Sequence, residues 1–103
     1  MSQERLERLK SLVAKRPAEP FPRYALALEY LKEEDGTSAI TLFEGLINDH
    51  PEYVPTYFQF GQVLIDAGDS DRARQILEAG VAVALEQGDD HAASELTAAL
   101  DSF

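Results

Sequence analysis

The chain has 103 residues and a mass of 11.4 kDa, with 45% hydrophobic residues and nine aromatics; that is enough for one domain's core and unlike a disordered or collagen-like chain. Nineteen acids against nine bases give a net charge of −10, and there is no cysteine, which excludes disulfides, thiol nucleophiles and Cys-based zinc sites and disfavours nucleic acid and anionic lipid as partners. Residues 1–10 lack an apolar leader core and the longest apolar run, 79–85, is far too short to span a bilayer, so the expectation is a soluble cytoplasmic protein with no membrane and no nucleic-acid partner.

The first predicted helix, residues 5–16, places Leu6, Leu9, Leu12 and Val13 on one stripe, and Pro17 stops it. Pro22 fits the first turn of a second helix reaching about Glu33. Its Tyr24, Ala25, Leu26, Ala27, Leu28, Tyr30 and Leu31 leave few polar positions, so it must be covered on more than one side. Asp35-Gly36 reads as a turn and Thr37 or Ser38 as the cap of a third helix, with Ala39, Leu42, Phe43, Leu46 and Ile47 at helical spacing before Pro51. Residues 57–67 are again apolar nearly all round. Gly68-Asp69 then turns, Ser70 caps, and Ala73, Ile76, Leu77, Gly80, Val81 and Ala84 form a fifth stripe that Gly88 ends. Asp89 or Asp90 caps a last helix with Ala93, Leu96, Leu100 and Phe103 on one face. The fold class is all-α, with about six helices. Helices apolar all round alternate with one-sided ones, as stacked helix pairs require, because the inner helix meets neighbours on several sides and the outer one faces water.

The chain also repeats itself. Ala27, Tyr30, Ala39, Phe43 and Leu46 are answered 34 residues later by Gly61, Leu64, Ala73, Leu77 and Gly80. The same step back from Phe43, Leu46, Ile47 and Pro51 reaches Leu9, Leu12, Val13 and Pro17. This pattern resembles the tetratricopeptide repeat, a 34-residue helix–turn–helix unit with an aromatic, Leu-Gly, Tyr, Ala, Phe and Pro at fixed offsets. Tyr57, Phe60-Gly61, Leu64, Ala73 and Leu77 carry it in one copy; Leu26-Ala27, Tyr30, Ala39, Phe43 and Pro51 carry it in the other. Arg23 replaces the first aromatic, and Leu85 replaces the closing proline, which predicts a helix that runs on. The resemblance implies a right-handed α-solenoid forming a single domain over 1–103: a capping helix in 1–17, repeats at 20–53 and 54–87, and a closing helix in 88–103. Ala27, Gly61, Ala39 and Ala73 are small where backbones approach, whereas Arg5 at the equivalent place in the first helix suits a cap without an inner mate.

Stacked pairs curve, with the inner helices on the concave side. The residues left there by helical spacing are Tyr24, Leu28 and Leu31 on the second helix and Phe58, Gln62 and Ile65 on the fourth. The resemblance implies that such an apolar groove takes an extended peptide or a helix of another protein; the same residues would equally suit packing between neighbouring helices. A subset of the family grips a C-terminal carboxylate with Lys, Asn and Arg, but comparable places here hold Tyr24, Leu28, Gln59 and Gln62. Asp66, Asp69 and Asp71 lack calcium-loop spacing and suit turns and caps. His50 and His91 lack metal-ligand spacing, and Ser38, Ser70 and Ser94 lack a nearby His-acid pattern. Neither enzyme activity, a cofactor nor a metal is expected.

Charge is divided along the chain: residues 1–32 hold seven bases against four acids, residues 33–103 two against fifteen. The acid excess suits a partner with basic flanks, or hydration at high salt. The leading expectation is a protein-interaction module, with an acidic scaffold that binds a partner segment in the groove. The alternative is a structural unit that self-associates into a homo-oligomer through its ends, near Leu9 and Phe103.

Overall fold

Prolines and aspartates determine where the helices begin. The computed structural model describes residues 2–103, which form α1 (Ser2–Lys15), α2 (Pro20–Lys32), α3 (Gly36–Asp49), α4 (Pro55–Asp66), α5 (Ser70–Glu86) and α6 (Asp90–Asp101). Pro20 and Pro55 open α2 and α4, where the N–H that proline lacks would have no intrahelical partner. Asp35, Asp69 and Asp89 cap α3, α5 and α6, their carboxylates accepting from the amides of Ser38, Arg72 and Ala92 at 3.1, 3.3 and 3.1 Å. The expected caps at Thr37 or Ser38 and at Ser70 are therefore corrected to Asp35 and Asp69. A carboxylate brings full negative charge to the positive end of the helix dipole, and from this position it reaches the third amide of the helix. Ser38 becomes that third residue and donates its hydroxyl to Asp35 at 2.7 Å. The Ser38 hydroxyl, and then its amide, hold the Asp35 carboxyl below the usual carboxylate range.

The turn before α3 also differs from the sequence expectation, whereas those at Gly68 and Gly88 fall where expected. The left-handed residue before α3 is Glu34 (φ 60°), and Gly36 is already helical; before α5 it is Gly68 (φ 83°), and before α6 Gly88 (φ 72°). Glu34 thus occupies the left-handed place that Gly68 fills one repeat later, at a steric cost glycine does not carry. Glu34→Gly is expected to raise stability by about 1 kcal/mol, a gain of several degrees in a thermal melt followed by circular dichroism. Where the closing proline is replaced by Leu85, α5 does run on, to 17 residues against 14 for α3.

The helices group into two compact units, Met1–His50 and Pro51–Phe103. In the first, α2 packs against both α1 and α3, burying Leu6, Leu26, Ala27, Ala39, Phe43 and Leu46. Ala27 and Ala39 have no exposed surface, as expected of positions chosen for their size. Arg5 donates from Nε to Glu29, a buried carboxylate on α2, at 2.8 Å. Arg23 donates to Asp49 at 2.8 Å, joining α2 to the end of α3 and keeping the Asp49 carboxyl below its ordinary value.

In the second unit α5 packs against α4 and α6, with a smaller contact between α4 and α6. Tyr57, Phe60, Leu64, Ala73, Leu77, Ala84 and Leu96 are buried. A Cβ on Gly61 would lie 2.5 Å from Leu77 Cδ2, and one on Gly80 2.5 Å from Tyr57 Cβ, so α4 and α5 meet at two points where only glycine fits. The Tyr57 hydroxyl donates to the Pro51 carbonyl at 2.6 Å, and burial raises its pKa. The last face needs a correction: α6 ends before Phe103, which is exposed under the Arg74 guanidinium at 5.1 Å, and Ala99 is buried with Ala93 and Leu96 instead.

Candidate functional site

Once α4 commits Tyr57, Phe60, Gly61 and Leu64 to the core, its stripe at 58, 62 and 65 remains half-buried. Phe58 and Gln62, one helical turn apart, line an open cleft of about 320 Å³ with Glu95, Ala98 and Ala99 of α6. The two alanines leave the cleft open, because a larger side chain there would occupy it. Ile65, the third expected residue of this helix, lies outside that lining.

On α2 the expected residues Tyr24, Leu28 and Leu31 are likewise half-buried and recur at helical spacing. Phe21, missed from the sequence, extends their stripe by one turn and is 60% exposed. Pro22 in the first turn leaves the first residue of the helix open in the sequence, and Phe21 sits at that edge, inside the first turn of α2. Glu95, Ala98 and Ala99 escape the sequence reading for a different reason: helical spacing gives the core face of α6 but not which residues of that helix stand opposite Phe58 and Gln62.

The charge around the cleft is negative. Residues 51–103 hold ten acids against two bases, Arg72 and Arg74, and these lie over the rings of Phe60 and Phe103. Glu95 stands 3.6 Å from His91 Nε2 on the same exposed turn. Of the acid run between α4 and α5, Asp69 caps α5 and Asp71 lies in its first turn, where the dipole favours it. Among the described residues no group of three or more acids and histidines is placed to hold a metal ion, and no helix is long and apolar enough to cross a membrane. The cleft therefore offers apolar burial, an amide able to donate and accept, and a carboxylate facing water.

Helix pairs repeating at 34 residues, each leaving part of its inner helix unburied, define a helical-repeat protein. The tetratricopeptide repeat family model matches residues 30–100, and the chain belongs to that family. It is 30% identical over 92 residues to a TPR repeat-containing protein of Pseudomonas aeruginosa, covering 89% of this chain and 88% of the relative. Among solved structures it is similar to a tetratricopeptide repeat domain protein from Salinibacter ruber, at 39% identity and a TM-score of 0.76 over 80% of this chain and 91% of that one. A protein from Bordetella parapertussis is 28% identical with a TM-score of 0.79, covering 93% and 84% of the two chains.

Proposed function

We propose that this chain is a non-enzymatic protein-interaction module that holds a peptide or helix of a partner protein on its inner-helix faces. On α4 the contact residues are Phe58, Gln62 and Ile65; on α2 they are Tyr24, Leu28 and Leu31, extended by Phe21. The cleft in which Phe58 and Gln62 meet Glu95, Ala98 and Ala99 carries this reading. An aromatic wall beside two small residues accepts one apolar anchor, and Gln62 can pair with an extended backbone. Burying such an anchor stabilises a complex by about 25 cal/mol per Å² before ordering costs. Ten acids in this unit favour lysine or arginine beside the anchor and speed encounter with such a segment.

The test is selection of binding peptides from a random display library on the folded protein. The selected peptides are expected to share an aromatic or leucine anchor with basic neighbours. Phe58→Ala should weaken them at least about tenfold, roughly 1.4 kcal/mol, with the melting curve retained. Peptides without an anchor, or an affinity that Phe58→Ala leaves unchanged, would refute the assignment.

A further inference from the structure

A larger hollow, about 530 Å³, lies between α5 and α6; it shares Ala98 with the cleft at Phe58 and Gln62 but neither of those two residues lines it. Val81, Leu85, Ala93 and Ala98 give it an apolar floor, and Asp90 and Asp101 line it at opposite ends of α6. Leu85 is 60% exposed; an apolar side chain left in water at the edge of a hollow marks a contact surface. Asp90 and Asp101 are eleven residues apart, three helical turns, so they share one side of α6 roughly 16 Å apart. No base belongs to the lining. The surface therefore fits a helix with an apolar ridge between two cations at the same eleven-residue spacing.

The chain itself contains such a segment. Arg5, Leu9, Leu12 and Arg16 recur at steps of four, three and four along α1 and its C-terminal edge, which places them on one stripe. Leu9 and Leu12 are only half-buried. The Arg5 side chain remains 55% exposed although its Nε donates to Glu29, and that of Arg16 is 59% exposed beside Glu19 at 3.5 Å, a surface pair that a new carboxylate can replace at little cost. Residues 1–32 carry net +3, whereas residues 51–103 hold ten acids and two bases.

We propose that the α5–α6 hollow is a docking surface for α1 of a second copy of this chain, with Arg5 and Arg16 meeting Asp90 and Asp101. Pairing of two such hollows is opposed, since it sets these aspartates against each other. The contact is heterologous, and copies add head to tail.

Light scattering in dilute buffer should give a mass that rises above 11.4 kDa with concentration. It should return to the monomer near 1 M salt, where the Debye length is roughly 3 Å. Asp90→Lys with Asp101→Lys should be monomeric, and so should a chain with Arg5→Gln, Lys15→Glu and Arg16→Glu, whose glutamine keeps a donor for Glu29. Mixing the two variants should restore association, because one introduced lysine then faces the carboxylate placed at position 16, with a second beside it at position 15, and the other faces a neutral amide at position 5. A wild type monomeric at every concentration, a lysine variant that still assembles, or a mixture that stays monomeric would each overturn the proposal. Independently of any variant, wild-type amide shifts on dilution should change in α1, α5 and α6; changes confined elsewhere would also overturn it. None of these substitutions touches Phe58 or Gln62, so peptide binding there stands or falls separately.

Discussion

Gly80→Ala is expected to destabilise the protein by about 1–3 kcal/mol, a fall in Tm on the order of 10 °C for a chain of this size. The added methyl would sit 2.5 Å from Tyr57 Cβ and 3.2 Å from Leu96 Cδ1. A Cβ is fixed to the backbone and cannot rotate away, so relief requires α5 to move off α4. That movement would disturb the buried Tyr57 and its 2.6 Å hydrogen bond to the Pro51 carbonyl. Against this, alanine improves helix propensity by about 1 kcal/mol, too little to offset overpacking of a rigid contact. Gly45→Ala in α3 makes the matched comparison. Its Cβ would meet only Arg23 Nη1, at 3.5 Å, an ordinary van der Waals contact that requires no movement of the Arg23–Asp49 pair. The propensity gain should survive there and raise stability by about 0.5–1 kcal/mol. Thermal melts of both variants check the pair, and equal effects would refute the close approach at Gly80.

Much of this packing could be read from the sequence, because the 34-residue step aligns residues by size. Ala27 with Gly61, and Ala39 with Ala73, fall where helices touch, and all four are buried. The same step aligns Asp35 with Asp69 and Glu34 with Gly68. Those matches carried the true caps and the left-handed turns, yet the nearby serines and Gly36 were the stronger local signals. Capping is decided by which oxygen reaches the third amide, a question of geometry two residues wide, and composition alone does not resolve it. The candidate site was legible in part. Helical spacing separates Phe58 and Gln62 from the core face of α4, but it says nothing about which helix stands opposite. Glu95, Ala98 and Ala99 entered only with the packing of α6. Phe21 escapes the sequence reading because Pro22 marks the first turn of α2 without fixing its first residue, and the exposed ring lies at that boundary.

Arg5→Met should cost about 1–3 kcal/mol, the penalty for leaving a buried acceptor without its donor. Glu29 has 4% of its surface exposed in a helix otherwise rich in apolar residues, and Arg5 Nε donates to it at 2.8 Å. Lys32 remains 3.9 Å away, too far for a good hydrogen bond, so the carboxylate would have to draw in water or loosen α1 from α2. The loss falls short of that for a wholly buried pair because more than half of the arginine side chain is already in water. One repeat later the place of Glu29 is taken by Val63, which shows that the position accepts an apolar side chain in this architecture. Glu29→Val should therefore rescue Arg5→Met, with the double variant within about 1 kcal/mol of the wild type, since a buried ion pair is often replaceable by apolar residues of similar fit. Urea unfolding of the two single variants and the double variant measures the coupling directly. Additive losses would mean that Arg5 and Glu29 act separately and that the ion pair does not hold α1 to α2.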